Sequence, residues 1–257
     1  MRERFANIVA PAGAMKTFIV QPERPGPFPA VILYMDFWGV REELYDIARW
    51  LATDGYCCAV PNLYYRQGAI LNEIYDRDGK MVSLGRLDPA ARARVLEPLQ
   101  KLIDTEAMDD TAALLRFFAA DPAVAAGAKG CFGYCLGGRM AMRAAGRFAD
   151  EIKAGASMHG SRLVSDGEVS PHLLAKNFRG EFYCGFAAHD PYTPPDTPAQ
   201  IAAAMRLSPA RYSFNIHAGT EHGYALPNRD IYDKQATLRD WEAILPMFHR
   251  QLPPDAS

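Results

Sequence analysis

The sequence predicts an α/β protein, with a mostly parallel central sheet flanked by helices in a single domain. Three observations predict it. Short apolar runs alternate with amphipathic helical segments from residue 30 onward, the pattern of a wound parallel sheet. A glycine-rich turn, Gly133-Tyr134-Cys135-Leu136-Gly137-Gly138, falls between a strand-like stretch and a helix-like one. The 257 residues suit one large domain that can bury a substantial core.

The elements follow in order. Pro22, Pro25, Pro27 and Pro29 make a loop, and residues 30–34 are an apolar strand. Residues 41–53 read as a helix, with Leu44, Ile47, Ala48 and Leu51 on one face and Gly55 as the cap. A strand returns over 56–60 and Pro61 stops it. Residues 66–104 break the rhythm. Loop composition runs over 67–87, then Asp88-Pro89 caps a helix over 90–103 that Pro98 should interrupt. An excursion of this length reads either as a pocket-shaping insertion or as a surface one. Residues 108–118 are a helix, 124–132 a strand entering the glycine-rich turn, and 139–148 the helix leaving it. Strands over 154–158, 182–187 and 212–216 follow, with helices over 197–205 and 231–248. The last helix carries Leu238, Trp241, Ile244, Leu245 and Phe248 at helical spacing, a core stripe.

A strand–turn–helix with a nucleophilic side chain at its centre is the setting of a nucleophile elbow. Glycines flank such a turn because it leaves no room for Cβ atoms beside the nucleophile. Here the centre is Cys135, where helix N–H groups favour a thiolate. Asp190 follows the apolar run 182–187, placing a carboxylate at the end of a buried strand. His222 follows the strand 212–216. The order is thus nucleophile, acid, histidine. His222 would take the thiol proton and Asp190 would hold the imidazole's tautomer. His217 is an alternative imidazole, and His159, at a strand end, reads as a structural or pocket-lining histidine.

With these residues the chain resembles the dienelactone hydrolase family of the α/β-hydrolase fold, over about residues 15 to 250. The carriers are Gly133-Tyr134-Cys135-Leu136-Gly137-Gly138, Ala188-His189-Asp190 and His222-Gly223, with Asp36-Phe37-Trp38-Gly39 and Val60-Pro61-Asn62-Leu63-Tyr64 as weaker matches. The resemblance implies hydrolysis of a carboxylic ester or lactone by a Cys-His-Asp triad through a covalent thioester. It implies an oxyanion hole from the N–H groups of Phe37 and Leu136. It also implies an auxiliary carboxylate near the thiol at Asp36, where family members commonly carry Glu. Leu226 stands where dienelactone enzymes place a carboxylate-binding Arg. The expectation is therefore a substrate without a carboxylate at that position and weak activity on dienelactones; the rival reading is that Arg229, or one of Arg86, Arg92 and Arg94 from the excursion, meets such a carboxylate. Trp38 and Tyr64, both after strand ends, are further substrate-binding candidates.

Composition narrows the classes. An apolar fraction of 49% with 23% charged residues is that of a soluble globular protein. A net charge of −2 gives no reason to expect nucleic acid or an anionic membrane as partner. No apolar run reaches transmembrane length. Five cysteines show neither a disulfide framework nor zinc spacing, and Met1-Arg2-Glu3-Arg4 has no signal-peptide character. These features predict a cytoplasmic protein without metal or other cofactor and leave its oligomeric state open; the resemblance implies a small-molecule ester or lactone as substrate. Two other readings use the same fold: a thiol redox or sensor protein working through Cys135, and a catalytically silent binding protein.

Overall fold

A computed structural model describes residues 1–70, 72–167 and 170–254. The element order is β1 (Arg2–Ala10), β2 (Gly13–Gln21), β3 (Ala30–Tyr34), α1 (Glu42–Thr53), β4 (Cys57–Pro61), α2 (Pro89–Lys101), α3 (Asp104–Ala120), β5 (Lys129–Tyr134), α4 (Leu136–Arg147), β6 (Ile152–Met158), β7 (Glu181–His189), α5 (Thr197–Met205), β8 (Arg211–Glu221) and α6 (Lys234–Gln251). The eight strands form one sheet in the order β1-β2-β4-β3-β5-β6-β7-β8. β1–β2 and β2–β4 are antiparallel, and the remaining pairs are parallel.

From β3 the chain steps outward to β4, then returns past β3 to β5 and continues the other way to β8. Right-handed crossovers in opposite directions place their helices on opposite faces. α1 and α6 share one face, where Trp50 meets Trp241 edge-on at 4.6 Å. α3 and α4 share the other, joined by Arg143–Asp104 at 2.7 Å and Arg147–Asp109 at 2.7 Å. With both faces covered, β3, β4 and β5 are buried at every position, which is why they read as unbroken apolar runs. The reversal between β3 and β5 makes the switch point where open α/β sheets bind ligands.

Two regions differ from the sequence expectation. The N-terminal hairpin was not foreseen: β1 is an edge strand, exposed from Arg2 through Phe5 with Ala6 half-buried, so its alternation is hidden under charge. Pro98 does not interrupt α2. It lies inside the helix and its carbonyl accepts from Gln67 Nε2 at 2.9 Å. At the start of that helix Asp88 accepts from the N–H groups of Ala90 and Ala91, both at 2.9 Å, as a capping carboxylate does.

Candidate active site

Register fixes the centre. Tyr34 of β3 lies opposite Gly133 of β5, so the loop after β3 and the turn after β5 leave the sheet side by side. Cys135 caps α4 at φ +54°, in the left-handed region that costs a non-glycine residue about 1–3 kcal/mol. The turn is tight for a visible reason. A Cβ on Gly137 would collide with the Tyr34 carbonyl, and one on Gly133 with the backbone of Gly137. The Cys135 N–H donates to the Met158 carbonyl at 3.1 Å, tying the turn to β6. Leu136 opens α4, so its N–H has no intrahelical acceptor, and Phe37 borders the same cleft.

Asp190 and His222 come together from the loops after β7 and β8. His222 Nδ1 and Asp190 Oδ2 are 2.7 Å apart, and Asp190 Oδ1 accepts the Tyr192 N–H at 2.8 Å. Burial alone would lower the His222 pKa. The charge of Cys135, hydrogen bonding to Asp190 and Cys135, and the charge of Asp190 outweigh it and raise the pKa to about 10. Nε2 is buried and, among the described residues, makes no hydrogen bond. The Cys135 thiol donates to Ser161 Oγ at 3.7 Å instead.

Behind this pair lies a second one. Asp240 on α6 accepts from Tyr183 and pairs with His217 Nε2 through Oδ1, each at 2.6 Å, and accepts from Tyr224 through Oδ2 at 2.6 Å. His217 precedes His222 and Tyr224 follows it, so one buried carboxylate fastens both flanks of the His222 loop. Gly185 makes room for it: a Cβ there would sit 2.5 Å from Asp240 Oδ1.

Several predicted residues stand elsewhere than expected. Asp36 is not free to serve the thiol. Its two oxygens accept from Arg41 Nη1 at 2.7 Å and Nη2 at 3.0 Å, and Oδ1 also accepts the Trp38 N–H at 3.1 Å. Arg41 is shared with Glu43 at 2.7 Å, and all three side chains are buried. Asp36 borders the cleft as one partner of this ion-pair cluster. Tyr64 is fully buried and donates to the Phe37 carbonyl at 2.8 Å, so it holds the loop that was expected to hold the ligand. Trp38 is likewise buried beneath the cleft, and the Arg229 guanidinium lies over its ring at 5.1 Å. Arg94 is exposed and lines no part of the cleft, because Arg94 falls on the outer face of α2. Arg92 does reach the cleft, with its guanidinium spent on the carbonyls of Leu84 at 3.1 Å and Gly85 at 3.0 Å.

Arg229 lines the cleft beside Leu226, and Cys135 lines it too. It is 5% exposed, and among the described residues its guanidinium makes no ion pair; Nε has no hydrogen-bond partner. Desolvation lowers its pKa, with the charge of Asp36 acting against that. The excursion folds over this arm: Ser83 and Arg86 both bond Asp230, next to Arg229. His159 also lines it, buried at φ +38° with neither ring nitrogen bonded; burial first, then the charges of His222 and Arg229, holds its pKa well down.

The arm holding Asp36, His222 and Arg229 is a cavity of about 260 Å³. A second cavity of about 550 Å³ opens on the α4 side of Cys135, against Ser161, Tyr192 and α2. Arg41, Ser161, Tyr192 and Asp240 escaped the sequence reading. None sits in a motif, and only Gly185, glycine inside a buried strand, hinted at a close approach.

A model of the dienelactone hydrolase family matches residues 15–252. A Synechocystis protein named "Putative carboxymethylenebutenolidase" is 23% identical over 91% of this chain and 91% of its own. Among solved structures, a Klebsiella pneumoniae protein named "Putative Dienelactone Hydrolase" superposes with a TM-score of 0.80 at 22% identity, covering 97% of this chain and 98% of that one. A dienelactone hydrolase from Anabaena variabilis gives 0.66 at 14% identity, covering 98% of each chain. At these identities the structural likeness shows the fold.

Proposed function

The chain belongs to the dienelactone hydrolase family, and on that premise we propose that it hydrolyses a small carboxylic ester or lactone with Cys135 as nucleophile. The observation that carries this reading is that Cys135 and His222 line one cleft, with His222 bonded from behind by Asp190 and its pKa raised by the charge of Cys135. The thiol turns from Ser161 toward His222 and its sulfur attacks the acyl carbon, leaving the proton on Nε2. The N–H groups of Leu136 and Phe37 receive the developing oxyanion, each such donor being worth roughly 3–4 kcal/mol. Collapse expels the alcohol, which takes the proton from His222, and leaves a thioester on Cys135. His222 then removes a proton from water, the hydroxide attacks the thioester, and the acid and thiol are released.

Asp190 holds the imidazole with its proton on Nδ1. Asp36 supports from further back: with Arg41 and Glu43 it fixes the loop that offers the Phe37 N–H. Glu43 also accepts the Asn228 N–H at 2.6 Å, linking that cluster to the Arg229 loop. Arg229, buried and without an anionic partner among the described residues, supplies the charge that Leu226 does not, and receives a substrate carboxylate in the smaller arm. The residues of 81–86 that bond Asp230 close over this arm, which makes the excursion part of the binding site.

The test is turnover of an activated aryl ester by wild type, Cys135→Ala and Arg229→Ala. Sustained turnover that vanishes in Cys135→Ala, with Arg229→Ala raising KM for a carboxylate-bearing lactone more than for a neutral one, supports the reading. One stoichiometric burst without turnover would instead favour a thiol sensor, and full activity in Cys135→Ala would end the assignment.

A further inference from the structure

The larger cavity does not stop at the apolar wall beside Cys135. It shares Leu96, Leu99, Arg139 and Arg162 with a further pocket of about 390 Å³, which Asp104 and Arg143 also line. The path from the thiol therefore runs over Leu84, Leu96 and Leu99 into a group of three arginines. We infer that this end is an oxyanion subsite, in which Arg139 and Arg162 receive the distal anionic group of a substrate whose apolar body lies along the leucines.

Charge, pairing and strain each support it. Among the described residues the pocket is lined by three arginines and one carboxylate: Asp104 accepts from Arg143 Nε at 2.7 Å and pairs with Arg139 Nη2 at 3.1 Å. The mutual proximity of Arg139, Arg143 and Arg162 is unfavourable, and burial with those neighbours lowers the pKa of Arg139. Arg139 is 8% exposed and its Nε is buried without a hydrogen-bond partner. A buried donor left unpaired beside a cavity is a site waiting for an acceptor. Among the described residues Arg162 makes no side-chain ion pair, yet it stands at φ +51°, a conformation a non-glycine residue keeps only when its surroundings impose it. Its N–H donates to the Tyr192 carbonyl at 3.4 Å, so this rim is fastened to the loop packed against His222. Forked guanidinium donors suit carboxylate and phosphonate oxygens alike.

The inference rests on the ester-hydrolase reading for its reaction, and it places the selective feature opposite Arg229. The substrate class is an ester with an apolar chain or ring that ends in an oxyanion. The experiment compares aryl monoesters of dicarboxylic acids of increasing chain length with neutral aryl esters of matching length, and with ω-phosphonate counterparts. The readout is the ratio of kcat/KM, anionic over neutral. Wild type should favour the anionic ester at one chain length. Arg162→Ala should lower that ratio about tenfold, and Arg162→Glu should bring it below one. A carboxylate preference without a phosphonate one identifies the anion as a carboxylate; the reverse identifies a phosphate-type group. A ratio that ignores Arg162, or that falls only in Arg229→Ala, overturns the subsite. If no ester is turned over, the hydrolase reading fails separately. Calorimetric titration of Cys135→Ala with a dicarboxylate monoamide, against Cys135→Ala/Arg162→Ala, then decides the subsite alone: binding weakened by the second substitution supports it, and equal binding refutes it.

Discussion

Two histidine–aspartate pairs have their imidazoles a few residues apart in the chain, at His217 and His222, and in unlike surroundings. His222 and Asp190 are 2.7 Å apart at the cleft; His217 and Asp240 are 2.6 Å apart in the interior. By distance they are indistinguishable. The difference is what the rest of each pair faces. Asp240 also takes two tyrosine hydroxyls, so its carboxylate is filled by groups of the fold. Asp190 takes one side chain and one N–H of its own loop, and the free nitrogen of His222 faces Cys135. A short histidine–carboxylate contact thus marks a rigid point; a nucleophile on the far side of the ring marks a reactive one.

The comparison can be broken by substitution. His222→Ala should lower ester turnover by about ten-thousandfold with the fold intact by circular dichroism, as expected when one group both takes and returns the proton. His217→Ala should cost less than about tenfold in the same assay, and greater sensitivity to His217 would exchange the two roles. Asp190→Asn should lower turnover by about a hundredfold or more through the wrong imidazole tautomer.

Asp240→Ala should act on stability. It leaves His217 and two tyrosines without their acceptor, at a cost of about 3–5 kcal/mol. At about 2–4 °C per kcal/mol for a chain of this size, calorimetry should show Tm lower by roughly 6–20 °C. An unchanged Tm would mean that the inner pair does not fasten the loop.

The His222 pair also has a pH signature. The imidazole should titrate near 10 by NMR, and Cys135→Ser, which removes the charge that does most to raise it, should bring the value down. Because the folded value lies above the unfolded one of about 6.5, the bound proton stabilises the fold fully below about pH 6.5. That stabilisation is lost as pH rises through about 10. A titration near 6.5 in wild type would dissolve the contrast with an ordinary histidine. The smallest effect is expected at Tyr64→Phe. Losing one hydrogen bond to the Phe37 carbonyl, worth about 1 kcal/mol, should reduce kcat a few-fold with little change in KM.

The sequence carried the outer pair and not the inner one for a physical reason. Cys135 and Asp190 follow the buried parallel strands β5 and β7, and His222 follows the edge strand β8; apolar runs and a glycine-rich turn make those ends visible. Asp240 lies mid-helix on α6, where an acidic residue looks solvent-facing; only the packing of α6 on β7 and β8 turns it inward. Asp36 was found by position and misread in partner, because Arg41 reaches back across a turn that no periodicity records. The aromatic residues after strand ends, Trp38 and Tyr64, follow the right strands but point beneath the cleft. Strand ends are legible from hydrophobic pattern, whereas side-chain direction in the following loop is not. β1 was hidden for the opposite reason, an edge strand whose charges protect it from pairing.

The central claim is that acyl transfer passes through Cys135 with His222 as its proton carrier. The most direct measurement is mass spectrometry of the protein quenched in acid during turnover of a slow aryl ester, followed by peptide mapping. The acyl mass should appear on the peptide carrying Cys135. The label should accumulate in His222→Ala if any acylation remains, and should be absent in Cys135→Ala. An acyl group on Ser161 or another residue, or steady turnover with no acyl-protein and undiminished in Cys135→Ala, would contradict it.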